Sequence, residues 1–296
     1  MAEPAPRTSG ARVPPLTPPQ AARWKRQVGR ARVAAGTARV QEPAARDLVR
    51  AALVVAGDTA LDLGAGDGNV ARAAARAGAR TVACDLNEAV VRAGAARVRR
   101  ASWAVADAER LPYRRGAFTK VLSNFAVVYA ADPDAAVREV VRVLAPGGVF
   151  AFTAHTADSL HARTDELLAR YDPPTLPYAF PLRWGDPALV TALLSPYCDG
   201  IATSRERLVR PYPSFAEMWT RQQAPGGLPA ALKPRLSPAA HREFADEYRE
   251  LLHAHRVGAA GPFALGHTYL RVVAHARRGN PLPTAMPGGP SSEPER

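Results

Sequence analysis

Between residues 47 and 153 two kinds of apolar segment alternate along the chain. Thr59–Leu63, Thr81–Cys84, Trp103–Ala106, Phe118–Ser123 and Val149–Thr153 are short, bounded by polar or glycine-bearing stretches, and too brief for helices; they are predicted as buried strands. The segments between them carry apolar residues at helical spacing. Asp47–Ala56 is predicted as a helix running into a turn at Gly57-Asp58. Asn69–Ala77 is a second helix, closed by Gly78, which can take the left-handed conformation at a helix end. Asn87 can accept the first free amides of a helix reaching to about Arg97. Asp132-Pro133 places a capping acid before a proline at the first turn, and that helix stops before Pro146-Gly147-Gly148. Strands alternating with helices predict an α/β domain with a parallel sheet covered on both faces.

The rhythm breaks after Ala154. Residues 155–196 read as helix and loop with many prolines, a sixth strand is expected near 199–209, and 211–260 return to helical periodicity. Thr268–Ala274 (TYLRVVA) is the last strand. Residues 1–20 hold six prolines and little core-forming material, so they are predicted as a disordered leader, with 279–296 as a matching tail. The resulting division is a core at 21–154, a lid or insertion at 155–262 and a final core strand at 263–278. No internal repeat is visible.

Composition adjusts this picture little. The 47% hydrophobic content suffices for a core. No apolar run is long enough to span a membrane, and Met1–Gln20 lacks the apolar stretch of a secretory signal. Two cysteines, Cys84 and Cys198, are too few for a disulfide scaffold or a four-ligand zinc site, which points to a reducing cytoplasm and no metal. The net charge of +12 raises nucleic acid as a partner. Yet Lys25, Lys120 and Lys233 are the only lysines, and the arginines are scattered instead of forming a basic run interleaved with aromatics.

The chemistry concentrates at 60–69, ALDLGAGDGN, a strand followed by a G-x-G-x-G turn and a helix. Such glycines allow a tight turn and a close ligand approach, and the helix beyond offers unpaired amides. By itself the pattern also fits dinucleotide enzymes. Three acids sharpen it. Asp85, at the end of the second strand, can accept the ribose hydroxyls of an adenosine. Asp107, after the third strand, can accept the exocyclic amine of adenine. Asp62, just before the glycines, suits the cationic amino end of a methionine moiety.

Together LDLGAGDGN at 61–69, ACDLN at 83–87, ADAERLPY at 106–113 and REVVRVLAPGG at 138–148 make the run from about Glu42 to Ala154 resemble class I S-adenosylmethionine-dependent methyltransferases. The likeness is to the type 11, or ubiquinone/menaquinone-methyltransferase-like, group. It implies a Rossmann-like, doubly wound seven-stranded sheet with an antiparallel last strand and S-adenosyl-L-methionine as cofactor. It implies Gly64, Ala65, Gly66 and Gly68 along the methionine side, Asp85 on the ribose with Leu86 against adenine, and Asp107 with the backbone of Ala108 at the adenine edge. Ser123-Asn124-Phe125, after the fourth strand, should line the sulfonium, which makes Asn124 a binding residue.

Methyl transfer is an in-line displacement in which alignment matters most, and a base is needed only when the nucleophile carries a proton of high pKa. Topology puts Tyr129 and His155 near the methyl, and these are the catalytic candidates. The fourth strand ends Ser-Asn-Phe-Ala and not in the Asn-Pro-Pro-Tyr type of segment that methylates a flipped base, which argues against a nucleic-acid methyltransferase. Tyr171, Tyr178, Phe180, Trp184, Tyr197, Tyr212, Phe215 and Trp219 enrich the insertion in aromatics and fit an apolar pocket for a small molecule. Phe215 and Trp219, four apart on one helical face, are the substrate candidates, either lining that pocket or packing the lid's own core. An NAD-dependent oxidoreductase and a non-catalytic S-adenosylmethionine-binding protein are the rivals. Substrate identity, O-, N- or C-methylation and oligomeric state are left open.

Overall fold

The computed structural model describes residues 16–28, 37–172, 183–224, 227–258 and 261–279. Seven strands form one sheet: β1 Thr59–Leu63, β2 Arg80–Asp85, β3 Ala101–Val105, β4 Phe118–Asn124, β5 Leu144–His155, β6 Cys198–Tyr212 and β7 Phe263–Ala276. Their order is β3-β2-β1-β4-β5-β7-β6. The first five strands run parallel. β7 inserts antiparallel between β5 and β6, as the resemblance implied. The chain direction across the sheet switches between β1 and β4, where ligands of open α/β sheets gather beyond the carboxyl ends of the strands.

The helices, in order, are α1 Pro18–Val28, α2 Thr37–Ala51, α3 Asn69–Arg76, α4 Glu88–Arg97, α5 Pro133–Val143, α6 Leu160–Tyr171, α7 Pro187–Leu194, α8 Phe215–Gln223, α9 Leu228–Leu232 and α10 Pro238–Ala254. Alternation along the buried strands sends neighbouring residues to opposite faces. Leu61, Val121, Phe150 and Phe152 pack with Val137 and Val140 of α5 and Val190 and Leu194 of α7. Ala60, Leu122 and Ala151 meet Leu48 and Val49 of α2 and Val70 and Ala74 of α3 on the other face. Tyr212, Met218, Phe244, Tyr248 and Phe263 form a separate core built by the chain after β5.

Several element ends lie where local chemistry predicts them. Asn87 Oδ1 accepts from the amides of Ala89 and Val90, and Asp132 Oδ1 from that of Ala135. Gly78 follows α3 at φ 91°. Other boundaries differ. α2 starts at Thr37, not Asp47, and carries Pro43 within it, because Ala44, Ala45, Leu48 and Val49 are needed against the sheet. β5 begins at Leu144 and takes Pro146-Gly147-Gly148 into the strand as an irregularity, with a register shift opposite β4 between Phe118 and Lys120. α1 begins at Pro18, inside the stretch expected to be a disordered leader. The rest of that stretch up to residue 15, the tail beyond residue 279, Tyr178 and Phe180 lie outside the described residues. Among the described residues no helix is long and apolar enough to cross a membrane.

Candidate active site

The turn after β1 is built for close approach. Gly64, Gly66 and Gly68 all hold positive φ, at 69°, 53° and 74°. A Cβ on Gly64 would stand 2.3 Å from Ala126 Cβ, so the turn fits tightly against the chain leaving β4. Over Gly66 the reverse holds: a Cβ there would meet nothing within 4 Å. The turn therefore presents bare backbone to open space at its apex. Its sides are tied down, with Ala65 N–H donating to Cys84 O at 2.8 Å and Gly68 N–H to Ala65 O at 2.8 Å.

Two of the three predicted acids brace this turn. Asp62 is buried, and its Oδ2 accepts the Ala71 amide of α3 at 2.8 Å. Loss of solvent pushes its carboxyl up to about 7. Asp85 is half-buried at the end of β2; one oxygen accepts from Gly66 N–H at 3.0 Å and the other from Asn87 N–H at 2.9 Å. One carboxylate thus joins the glycine turn to the start of α4, beside Leu86, and keeps lone pairs for a ligand.

Asp107, beyond β3, has a partner that the sequence did not suggest. Its Oδ1 accepts from Glu109 N–H at 3.0 Å, and its Oδ2 meets Lys25 Nζ of α1 at 2.7 Å. Lys25 also reaches Glu109 at 2.5 Å, and the two carboxylates hold its ammonium pKa above the ordinary value against the cost of burial. Trp24 donates through Nε1 to Tyr129 O at 2.7 Å, its ring 6.2 Å from that of Tyr129. Helix α1 therefore docks across the ends of β3 and β4, next to Ala108. No local signal in the sequence marks this docking, since Trp24 and Lys25 find their partners 105 and 82 residues away.

Asn124 is placed at the end of β4, but its amide is occupied by structure. Oδ1 accepts from Thr153 Oγ1 at 2.9 Å and Nδ2 donates to Gln41 O at 3.3 Å. It pins α2 and β5 together, and the next residue is buried with Ala44, Leu208 and Tyr269. Phe125 adopts φ 57°, an uncommon conformation for a non-glycine residue, and donates its N–H to Thr153 Oγ1 at 2.9 Å.

Beyond Phe125 the two catalytic candidates meet in one group. His155 stacks on Phe125 at 4.5 Å between centroids, and Tyr269 approaches Phe125 edge-on at 5.3 Å. The Tyr129 hydroxyl lies 3.5 Å from Nε2 of His161, which stacks on His155 at 4.0 Å. Burial drives His155 well below the ordinary imidazole range and Tyr129 up to about 12, so both stay neutral near pH 7. His161 is not among the catalytic candidates of the sequence because topology places strand ends near the methyl, and His161 lies on a helix. The signal was available in the i, i+4 pair His161 and Asp165.

The substrate candidates Phe215 and Trp219 pack, partly buried, against the ring cluster of α8, α10 and β7. Phe215 stacks on His253 at 3.9 Å and on Trp219 at 6.2 Å and meets Phe263 edge-on at 5.1 Å. Arg249 covers the Trp219 ring at 4.8 Å. Of the two roles expected for this helical face, these contacts with neighbouring helices and β7 are those of packing. Trp184 is buried against Phe152 in the sheet core.

An open α/β sheet with a bare glycine turn after its first strand and carboxylates after the next two defines a nucleotide-type binding domain of the Rossmann-like class. Comparison with known proteins narrows this. Residues 61–152 match the family model described as Methyltransferase domain. An uncharacterized protein of Mycobacterium tuberculosis is 32% identical over 171 residues, covering 56% of this chain and 62% of the relative. Demethylmenaquinone methyltransferase of Clavibacter sepedonicus is 37% identical over 102 residues, 33% of this chain and 42% of that protein. The chain thus spans less than two thirds of the curated relatives it matches. Among solved structures, the YcgJ protein of Bacillus subtilis superposes with a TM-score of 0.56 at 19% identity, over 80% of this chain and all of the other, which shows the fold.

Proposed function

We propose that the chain is an S-adenosylmethionine-dependent methyltransferase acting on a small molecule, with residues 155–262 closing over the acceptor. The observation that carries the reading is the Gly66 apex, open above and joined through Asp85 to the start of α4. When bound, the cofactor supplies an electrophilic methyl on a sulfonium and a neutral thioether leaving group. The chain's part is to bind and align. Gly64, Ala65, Gly66 and Gly68 would lie along the methionine portion. Asp62 would face its ammonium, which would stabilise the carboxylate that burial otherwise protonates. Asp85 would accept both ribose hydroxyls with Leu86 against the adenine, while Asp107 and the Ala108 backbone would meet the adenine edge. With Asn124 committed to Gln41 and Thr153, the Phe125 ring would close the sulfonium end.

A small acceptor is supported by the ring group beyond β4 and by the scatter of the arginines. Cys84 and Cys198 are both free and buried, which suits a reducing cytoplasm. Calorimetry with S-adenosylmethionine, S-adenosylhomocysteine and NAD tests the reading. Micromolar binding of the first two, on the order of −8 kcal/mol, and none of NAD is expected. Binding of NAD alone, or of none of the three by folded protein, would sink it. Labelled cofactor incubated with a metabolite extract and followed by mass spectrometry would then identify the acceptor.

A further inference from the structure

Beyond Phe125, where β4 and β5 leave the sheet, Tyr129, His155 and His161 form a group outside the cofactor contacts proposed above. His161 sits in the first turn of α6, and Asp165 one turn later brings its Oδ2 to 3.4 Å from His161 Nε2. Spacing of i, i+4 keeps the pair in register on one helix face. The Tyr129 hydroxyl comes to 3.5 Å from the same nitrogen, and the rings of Phe125, His155 and His161 stack in a column. The His161 side chain is 40% exposed, so a ligand can reach it.

We propose that His161 is the general base for a flat acceptor bearing a phenolic or enolic hydroxyl, and that Asp165 is its positioning residue. This rests on the methyltransferase reading above. With Nε2–H directed at the Asp165 carboxylate, the imidazole carries its lone pair on Nδ1. As the acceptor oxygen forms its bond to the methyl carbon, the carbon–sulfur bond breaks and its electron pair stays on sulfur. The hydroxyl proton passes to His161 Nδ1, and Asp165 offsets the imidazolium charge. Among acceptor classes the hydroxyl is the one that needs this device. Carboxylates and thiolates arrive ionised, and a neutral amine attacks with its own lone pair and sheds a proton afterwards.

The groups facing His161 leave it that role. His155 from β5 and His267 from β7 are both held neutral by burial, His267 down to about 4, so neither competes for the proton. Tyr129 keeps its hydroxyl proton and so does not compete for the acceptor's. Asp165 is raised by desolvation, and the nearby His161 counters that shift.

The test uses 4-nitrophenol, whose neutral and ionised forms absorb at different wavelengths, added at pH 6 to full-length protein with and without saturating S-adenosylhomocysteine. The bound probe should show the phenolate band in the wild type. His161→Phe, which keeps the ring stack, should lose it, and Asp165→Asn should lower the ratio of ionised to neutral probe about tenfold, one pKa unit. Nitrogen-15 spectra should show His161 as the Nε2–H tautomer in the wild type and as a mixture in Asp165→Asn. A wild type that shows no phenolate band, or His161→Phe with an unchanged band, overturns the proposal. Absence of S-adenosylhomocysteine binding counts against the cofactor reading instead, while the probe spectrum recorded without it still decides the role of His161.

Discussion

From Thr59 to His155 and from Leu160 to Phe263 the chain is held together by different means. In the first region elements are short, and their ends are set by neighbours in sequence: Gly64, Gly66 and Gly68 shape one turn, Asn87 starts α4, Asp132 starts α5. The candidate cofactor contacts are made by these same ends. In the second region caps are equally sound, with Ser159, Asp186, Ser214 and Ser237 each accepting amides from the turn they open. Yet what places α6, α8 and α10 is contact between distant rings, such as Tyr171 with Phe244 at 5.5 Å and Phe215 with His253 at 3.9 Å. A site built from element ends can be read by spacing. A site built from element faces depends on which faces meet, and spacing alone does not say.

The comparison can be broken first at Gly64. Gly64→Ala forces a Cβ onto Ala126 in a left-handed turn and should cost roughly 3–5 kcal/mol in urea unfolding, with loss of S-adenosylhomocysteine binding in calorimetry. An unchanged melting curve would show that the turn is not a rigid part of the first region. Asp85→Ala should come next, lowering cofactor affinity by roughly 2–3 kcal/mol, beyond tenfold in Kd, since charged acceptors of hydroxyl and amide hydrogens are lost together. Normal affinity in that variant would misplace the ribose.

The lid sharpens the contrast from its own side. Trp219→Ala should destabilise residues 160–265 by about 2 kcal/mol, less than a fully buried aromatic, and leave S-adenosylhomocysteine affinity unchanged. Native-state proteolysis reads the first and calorimetry the second; a stable variant with lost turnover would restore Trp219 to the pocket.

Asp62 tests burial beneath the turn through pH. Its carboxyl is raised in the fold to about 7 from a reference of 3.8. The native state therefore binds the proton more tightly than the unfolded chain, and stability from this group falls as pH rises between those values. Asp62→Asn removes that slope and should make the protein roughly 1–2 kcal/mol more stable than wild type at pH 8, the buried amide carrying its own smaller desolvation cost. Parallel stability curves from pH 4 to 8 would contradict the burial. The smallest effect is expected at Lys25→Met, which removes the bridge to Asp107 and Glu109. Hydrogen exchange in α1 should quicken by an amount worth about 1 kcal/mol or less at low salt, and the difference should vanish at high salt. No difference at low salt would assign the docking of α1 to Trp24 alone.

Much of this fold was legible because its signals are local. β1, the start of α3 and the cap of α4 follow from residues within one turn of the boundary. The first ten residues of α2 were not, since Pro43 reads as a breaker and only the sheet face beneath Leu48 and Val49 outweighs it. β6 and β7 run beyond their expected limits because each is completed by the other, a pairing far apart in sequence. At the site, Asp85 and the glycines were legible from spacing. Lys25 was not, because its partner Asp107 is 82 residues away. His161 was not legible either, because it lies on a helix whose place beside the strand ends depends on packing distant in sequence.

The ribbon of β6 and β7 pairs from Cys198↔Ala276 to Tyr212↔Phe263, whereas β5 accompanies β7 only between Val149↔His275 and His155↔Tyr269. Past Tyr269 the sheet narrows to two strands, and these run on to Tyr212, Phe263 and Leu265 in the lid core. In mechanical terms the lid is a cantilever: a load on it is carried as shear along the ladder between β6 and β7, and a two-stranded ribbon yields more readily by twisting than by bending at a point. For an engineer the same feature marks a seam. Chimeras that exchange lids should be spliced opposite each other at Glu206 and Tyr269, where a register-matched joint leaves the three-stranded part of the sheet intact.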